Sequence, residues 1–138
     1  MTMSPFENVL IVDDDPILRT VAFAYFGALG TPQILQASNG REALELIQQY
    51  RPAIDCILCD LNMPELDGVQ FMRQLKDCAF SGDIAIISGE GREVLGTARD
   101  LAQSLGLNSV GALCKPLKAG DLDQVVGMTQ PATSVVTP

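Results

Sequence analysis

The sequence predicts a doubly wound α/β domain, a five-stranded parallel sheet covered by helices on both faces. Three observations lead there. Short runs such as Val9-Leu10-Ile11-Val12, Cys56-Ile57-Leu58-Cys59 and Ile84-Ala85-Ile86-Ile87 carry no charge and have the length of strands buried on both sides. Helical segments separate successive runs, and parallel neighbours need such crossovers. The runs also end in chemically distinctive residues, Asp13, Asp60, Ser88 and Lys115.

Taken in order, residues 6–13 read as the first strand, ending in acid. Pro16 suits the first turn of a helix over residues 16–29, with Asp15 as its N-cap and Gly30 as its stop. That helix is expected to turn Ile17, Val21, Ala24 and Leu29 towards the core. Residues 33–37 form a short second strand, and Asn39-Gly40 turns into a helix over residues 41–50. Ala43, Leu44 and Ile47 share one of its faces, and Pro52 stops it. Residues 55–60 are the third strand, followed by a turn at Asn62-Met63-Pro64. A helix over residues 69–76 buries Phe71, Met72 and Leu75. The fourth strand is Asp83–Ser88, and Gly89 and Gly91 flank Glu90 in the loop behind it. A helix over residues 92–105 ends at Gly106, a fifth strand spans residues 109–114, and a last helix spans residues 119–128. Residues 1–128 are thus expected to form the one domain, and residues 129–138, rich in Pro, Thr and Ser, a flexible tail or the start of a linker.

A chain of 138 residues, 47% of them apolar, buries a single core without staples. No apolar stretch reaches the length of a membrane span and no basic-then-apolar secretory start is present, so a cytoplasmic location is the default. A net charge of −8 argues against a nucleic-acid surface, which needs a basic stripe. The chain has no histidine, which removes a histidine base, a histidine-bound zinc and any phosphohistidine of its own. Cys56 and Cys59 have redox-motif spacing but lie in a strand, where residues three apart point to opposite faces. With Cys78 and Cys114 they read as small buried thiols that stay reduced.

In a parallel sheet the carboxyl ends of all strands meet at one edge. That rule gathers Asp13, Asp14, Asp60, Ser88 and Lys115. Close carboxylates repel, and a hard divalent cation relieves the repulsion; Mg²⁺ suits carboxylate, carbonyl and water oxygens. Acids with Mg²⁺, an ammonium and a hydroxyl around one carboxylate suit a phosphoryl group, whose equatorial oxygens carry the charge. Taken singly, each residue has a plainer reading. Ser88 is an ordinary strand-end hydroxyl, Lys115-Pro116 a solvated turn, Asn62 a turn former and Gly68 a helix-entry glycine. One acid would suffice to cap the first helix, yet Asp13–Asp15 supply three. The information lies in their joint order along five βα units.

Val12-Asp13-Asp14, Asp60-x-Asn62-Met63-Pro64-x-x-x-Gly68, Ser88-Gly89 and Lys115-Pro116 together resemble the receiver domain of a two-component response regulator, of the chemotaxis-regulator type. The likeness covers residues 8–128 and implies a flavodoxin-like sheet of order 2-1-3-4-5. It implies that Asp60 is the phosphoacceptor, and that Asp14, Asp60 and the backbone carbonyl of Asn62 ligate Mg²⁺, with Asp13 acting through a water. Lys115 would pair with a phosphoryl oxygen and Ser88 would rotate towards the new group. Asn62 and Glu90 occupy the positions that tune hydrolysis in this family. The donor would be a sensor histidine kinase or a histidine phosphotransfer protein.

One departure stands out. The aromatic switch residue that many family members carry three places before the lysine–proline pair is Ala112 here, so the hydroxyl–aromatic coupling does not carry over. The face over residues 93–128 is still expected to carry the output. The stretch 88–107, with Leu113-Cys114-Lys115-Pro116-Leu117, resembles receivers attached to cyclic-di-GMP phosphodiesterase domains. The output partner and any homodimer stay open. A different class, a Mg²⁺-dependent phosphatase-like hydrolase with Asp60 as transient nucleophile, would need a second acid for the leaving group; Glu65 and Asp67 are the neighbours in sequence.

Overall fold

The computed structural model describes residues 4–50, 54–63 and 68–129. The strands are β1 (Asn8–Val12), β2 (Gln33–Ala37), β3 (Cys56–Asp60), β4 (Asp83–Ser88) and β5 (Asn108–Cys114). The helices are α1 (Pro16–Ala28), α2 (Gly40–Tyr50), α3 (Gly68–Asp77), α4 (Arg92–Ser104) and α5 (Ala119–Thr129). The strands pair in the order β2-β1-β3-β4-β5, all parallel, so the expected strand order is the observed one. From β1 the chain steps to one side for β2 and to the other for β3. That reversal opens a crevice between the carboxyl ends of β1 and β3, where sheets of this kind hold their ligands.

Alternation along each strand sorts side chains to two cores. Leu10, Val12, Ile57, Cys59, Ile84 and Ile86 meet Ile47 of α2, Phe71 and Met72 of α3, and Leu95 of α4. Val9, Ile11, Cys56, Leu58, Ala85 and Ile87 meet Leu18 and Phe26 of α1 and Leu122 and Val125 of α5. Cys56 and Cys59 fall in opposite cores as the strand period requires, and both are buried free thiols. Cys78 is only half-buried and Cys114 is exposed, which corrects the reading of all four as core residues. Cys78 follows the end of α3, and Cys114 is the last residue of the edge strand β5.

The buried stripe of α1 also differs from expectation. Leu18, Ala22 and Phe26 are buried, whereas Ile17 is 73% exposed, Val21 41% exposed and Ala24 exposed; Leu29 is half-buried. Both stripes are apolar at helical spacing, so periodicity could not choose between them. Packing decides: Leu18, Ala22 and Phe26 meet Val9 and Ile11 of β1 and Leu122 and Val125 of α5, while the helix ends are fixed locally. Asp15 accepts from the Ile17 N–H at 2.9 Å, and the Thr31 N–H returns to the Phe26 carbonyl at 3.1 Å. Gly30, at φ 83°, makes the left-handed stop that the sequence anticipates.

β5 carries a bulge. Ile84 pairs with Ser109 and Ala85 with Gly111, leaving Val110 as the extra residue. At the opposite, amino-terminal edge of the sheet, Asp55 receives the Glu7 and Asn8 N–H groups at 2.9 and 3.1 Å. That acid is a structural clasp. Pro52, Pro64, Glu65 and Asp67 lie outside the described residues, as does the tail from residue 130.

Candidate phosphoryl and cation site

Three strand ends build the floor of the crevice. Asp13 follows β1, Asp60 closes β3, and both are buried, at 0% and 1% exposure. Asp14 is exposed at the rim. Carboxylate oxygens of Asp13, Asp14 and Asp60 lie within 4.8 Å of one another. Lys115, just past β5 and joined to Pro116 by a cis peptide bond, sends its ammonium between the two buried acids. Its Nζ stands 3.1 Å from Asp13 Oδ2 and 3.3 Å from Asp60 Oδ2.

Local hydrogen bonds hold these groups. The Asp15 N–H donates to Asp13 Oδ1 at 2.8 Å and the Asn62 N–H to Asp60 Oδ1 at 3.2 Å. The Lys115 N–H donates to the Ser88 carbonyl at 3.0 Å, locking the end of β5 to the end of β4. Ser88 is fully buried, and its hydroxyl accepts from the Glu90 N–H at 3.0 Å. The Asn62 side-chain amide donates to Glu90 Oε2, so the two loops over the crevice touch. Gly68 sets how closely α3 approaches: a Cβ there would lie 2.6 Å from Leu61 Cα and 3.0 Å from the Asp60 carbonyl oxygen. The reading of Gly68 as a simple helix-entry residue therefore misses its packing role against β3.

Burial pushes the Asp13 carboxyl up to about 6, with the Asp60 charge adding to it; the Asp15 N–H and Lys115 pull the other way. Burial likewise raises Asp60, and Asp14 adds to the rise, against the Asn62 N–H and Lys115. Burial works against the Lys115 charge, yet Asp13 and Asp60 outweigh it and raise the ammonium. Lys115 alone does not complete the site. Asp13 Oδ2 stays buried without a hydrogen bond: the ammonium lies near it but hydrogen-bonds Asp13 Oδ1 and Asp60 Oδ2. Two buried acids, a third at the rim and one orphaned oxygen are a donor set fitting a hard divalent cation.

The structure thus brings together Asp13, Asp14, Asp60 and Lys115, and places Ser88 and Asn62 on the neighbouring strand end and loop. One contact has no counterpart in the sequence reading. Arg19 of α1 donates from Nη1 to the Asp13 carbonyl at 2.6 Å and from Nε to Gln36 Oε1 of β2 at 3.2 Å. Arg19 is the only cation in α1, one turn beyond the acids, but a contact to a backbone carbonyl leaves no mark in the residue types.

A family model described as the response regulator receiver domain matches residues 9–127. The positive alginate biosynthesis regulatory protein of Pseudomonas aeruginosa is 37% identical over 123 residues, covering 86% of this chain and 45% of that protein. The cyclic di-GMP phosphodiesterase RocR of the same organism is 34% identical over 112 residues, 79% of this chain and 28% of that one. The chain therefore spans less than half the length of these curated relatives. Among solved structures, the chemotaxis protein CheY4 of Vibrio cholerae superposes with a TM-score of 0.75 at 25% identity, covering 91% of this chain and 99% of that one. A response regulator from Colwellia psychrerythraea gives 0.74 at 28% identity, with 90% and 97% covered. With the acids of β1 and β3 facing the lysine of β5 on a 2-1-3-4-5 sheet, the chain belongs to the response regulator receiver domains.

Proposed function

We propose that this domain accepts a phosphoryl group on Asp60 from the phosphohistidine of a sensor histidine kinase or a histidine phosphotransfer protein in the cytoplasm. The observation that carries the reading is the burial of Asp60 beside both another acid and the Lys115 ammonium, 3.3 Å away. A carboxylate oxygen of Asp60 attacks phosphorus, a P–O bond forms and the P–N bond to the donor imidazole breaks. The imidazole leaves with the bonding electron pair and takes up a proton from solvent. Asp14, Asp60 and the Asn62 carbonyl would hold Mg²⁺, with Asp13 reaching it through water. When bound, that cation supplies charge neutralisation for the phosphoryl oxygens and the carboxylates.

The chain's own residues do the rest. Lys115 pairs with a phosphoryl oxygen in exchange for its present carboxylate partners. The Ser88 hydroxyl leaves the Glu90 N–H and turns towards the acyl phosphate. Asn62 and Glu90 bridge the two loops over the crevice and set how readily water reaches it. Residues 1–128 are the signalling unit, and residues 129–138 a tail or the start of a linker. The output reads from the α4–β5–α5 face without an aromatic at Ala112, and a cyclic-di-GMP phosphodiesterase domain is the output that the RocR likeness favours. Glu65 and Asp67, the acids that a hydrolase would need, lie outside the described residues, and no observation favours that reading.

Intact-mass spectrometry after incubation with acetyl phosphate, with and without Mg²⁺, tests the proposal. A single Mg²⁺-dependent phosphoryl adduct is expected, absent in Asp60→Asn. No adduct, together with no binding of beryllofluoride, would sink it.

A further inference from the structure

Asp14 presents a difficulty for the site just described. It is the exposed acid of the three, and among the described residues it makes no hydrogen bond or ion pair of its own. Its side chain is therefore placed by the backbone that carries it. The peptide on its amino side is the one whose carbonyl belongs to Asp13, and that carbonyl accepts from Arg19 Nη1 at 2.6 Å. The guanidinium is itself held from the other edge, with Nε donating to Gln36 Oε1 at 3.2 Å, and Glu42 of α2 feels its charge. A rigid planar fork thus braces the acid loop against β2. The guanidinium's planar fork carries its donors on separate nitrogens and so spans the Asp13 carbonyl and Gln36 Oε1, whereas a lysine gathers its donors on one nitrogen.

We infer that Arg19 is a positioning residue for the cation: it holds the Asp13–Asp14 peptide so that the Asp14 carboxylate faces Asp13 and Asp60. The inference rests on the reading of these acids as the Mg²⁺ site. Groups one step removed from a metal commonly change its affinity about tenfold or more when removed.

The sign of the effect separates this role from a merely electrostatic one. Arg19 is a cation close to a cation site, so its charge by itself opposes Mg²⁺, and removing it would tighten binding. Positioning gives the opposite result. The test is a Mg²⁺ titration of the unphosphorylated domain followed by backbone amide shifts, alongside acetyl-phosphate phosphorylation at varied Mg²⁺. For Arg19→Ala the half-saturating Mg²⁺ is expected to rise about tenfold in both measurements. The phosphorylation rate at saturating Mg²⁺ should return to within about twofold of the wild type, because Asp60 and Lys115 are untouched. Arg19→Lys should recover part of the affinity, and Gln36→Ala, which removes only the outer anchor, should give a smaller rise in the same direction.

Unchanged or tighter Mg²⁺ binding in Arg19→Ala would overturn the inference. So would a loss of rate that saturating Mg²⁺ does not restore. If Arg19→Ala does not fold, Gln36→Ala decides, and Mg²⁺ affinity equal to the wild type overturns the inference. A wild-type domain that binds no Mg²⁺ would instead overturn the reading of the site itself, and the role of Arg19 with it.

Discussion

Lys115 faces two buried carboxylates, and each of its partners gains from it differently. Lys115 hydrogen-bonds Asp60 through Oδ2 at 3.3 Å and Asp13 through Oδ1 at 3.5 Å, and it leaves Asp13 Oδ2 with an ion-pair contact alone. Replacing Lys115 with Ala leaves both acids without a cation, and a lost partner of a charged group costs about 1–3 kcal/mol. We expect the Lys115→Ala domain to melt lower than the wild type in chelator, with much of the difference recovered in Mg²⁺, as thermal unfolding in the two buffers will read. Phosphoryl acceptance should persist at a reduced level in this variant, since the attacking oxygen is intact, while the switch weakens. At this scale the sequence was informative. Asp13, Asp14, Asp60, Ser88 and Lys115 each announce themselves at the end of an apolar run. Arg19 does not, because its partner is a backbone carbonyl and leaves no trace in residue types. Asp55 likewise looks like a strand-start acid until the β1 amides are seen to point at it.

Among the elements, α1 separates two kinds of apolar residue that look alike on paper. Phe26 is fully buried against Phe6 and Tyr25, while Ile17 is 73% exposed. Phe26→Ala should therefore cost about 3–5 kcal/mol in a denaturant titration, and Ile17→Ala within about 0.5 kcal/mol. Equal losses for the two would contradict the helix orientation. A second expectation concerns the joint between β3 and α3. Gly68→Ala forces a methyl group to within 2.6 Å of Leu61 Cα and 3.0 Å of the Asp60 carbonyl. Something must shift, at a cost of about 1–3 kcal/mol, and the strand end that carries Asp60 is what moves. Slower phosphorylation together with lower stability is the expected pair of results, read by adduct formation over time and by unfolding. The element boundaries were legible to within a residue or two because caps and breakers are local: Asp15 and Pro16 open α1, and Gly30 closes it. The bulge at Val110 was not, because it exists only in the pairing of β5 with β4.

For the molecule as a whole, the buried acids make stability depend on pH in an unusual direction. Asp13 titrates near 6 in the fold against an ordinary 3.8, so the folded state binds that proton more tightly than the unfolded chain does. Metal-free protein should then gain stability as pH falls from about 7 to about 4, by up to about 3 kcal/mol from Asp13, and lose it as pH rises through 6. Asp60 is raised too and adds in the same sense. The raised Lys115 contributes stability that is lost only at alkaline pH, outside this window. Mg²⁺ should reverse the trend, since it competes with protons for the same oxygens. Melting curves between pH 4.5 and 7.5, in chelator and in Mg²⁺, will show opposite slopes if the crevice behaves this way, and Asp13→Asn should flatten the metal-free one.

The sequence by itself determined the order and type of the elements, and the chemistry waiting at their ends. Apolar runs, caps and turn residues act over a few positions, and a buried parallel strand can hardly be written any other way. What the tertiary structure alone decided is adjacency. Which apolar stripe of α1 is buried, how closely Gly68 lets α3 approach and where Arg19 reaches are all set by groups far apart in the chain, whereas the strand order was expected from the family resemblance. Asp13 and Lys115 stand 102 positions apart and meet at 3.1 Å only because β3 and β4 fit between their strands. Local patterns are degenerate with respect to such choices, and packing the whole sheet against its two layers of helices removes the degeneracy.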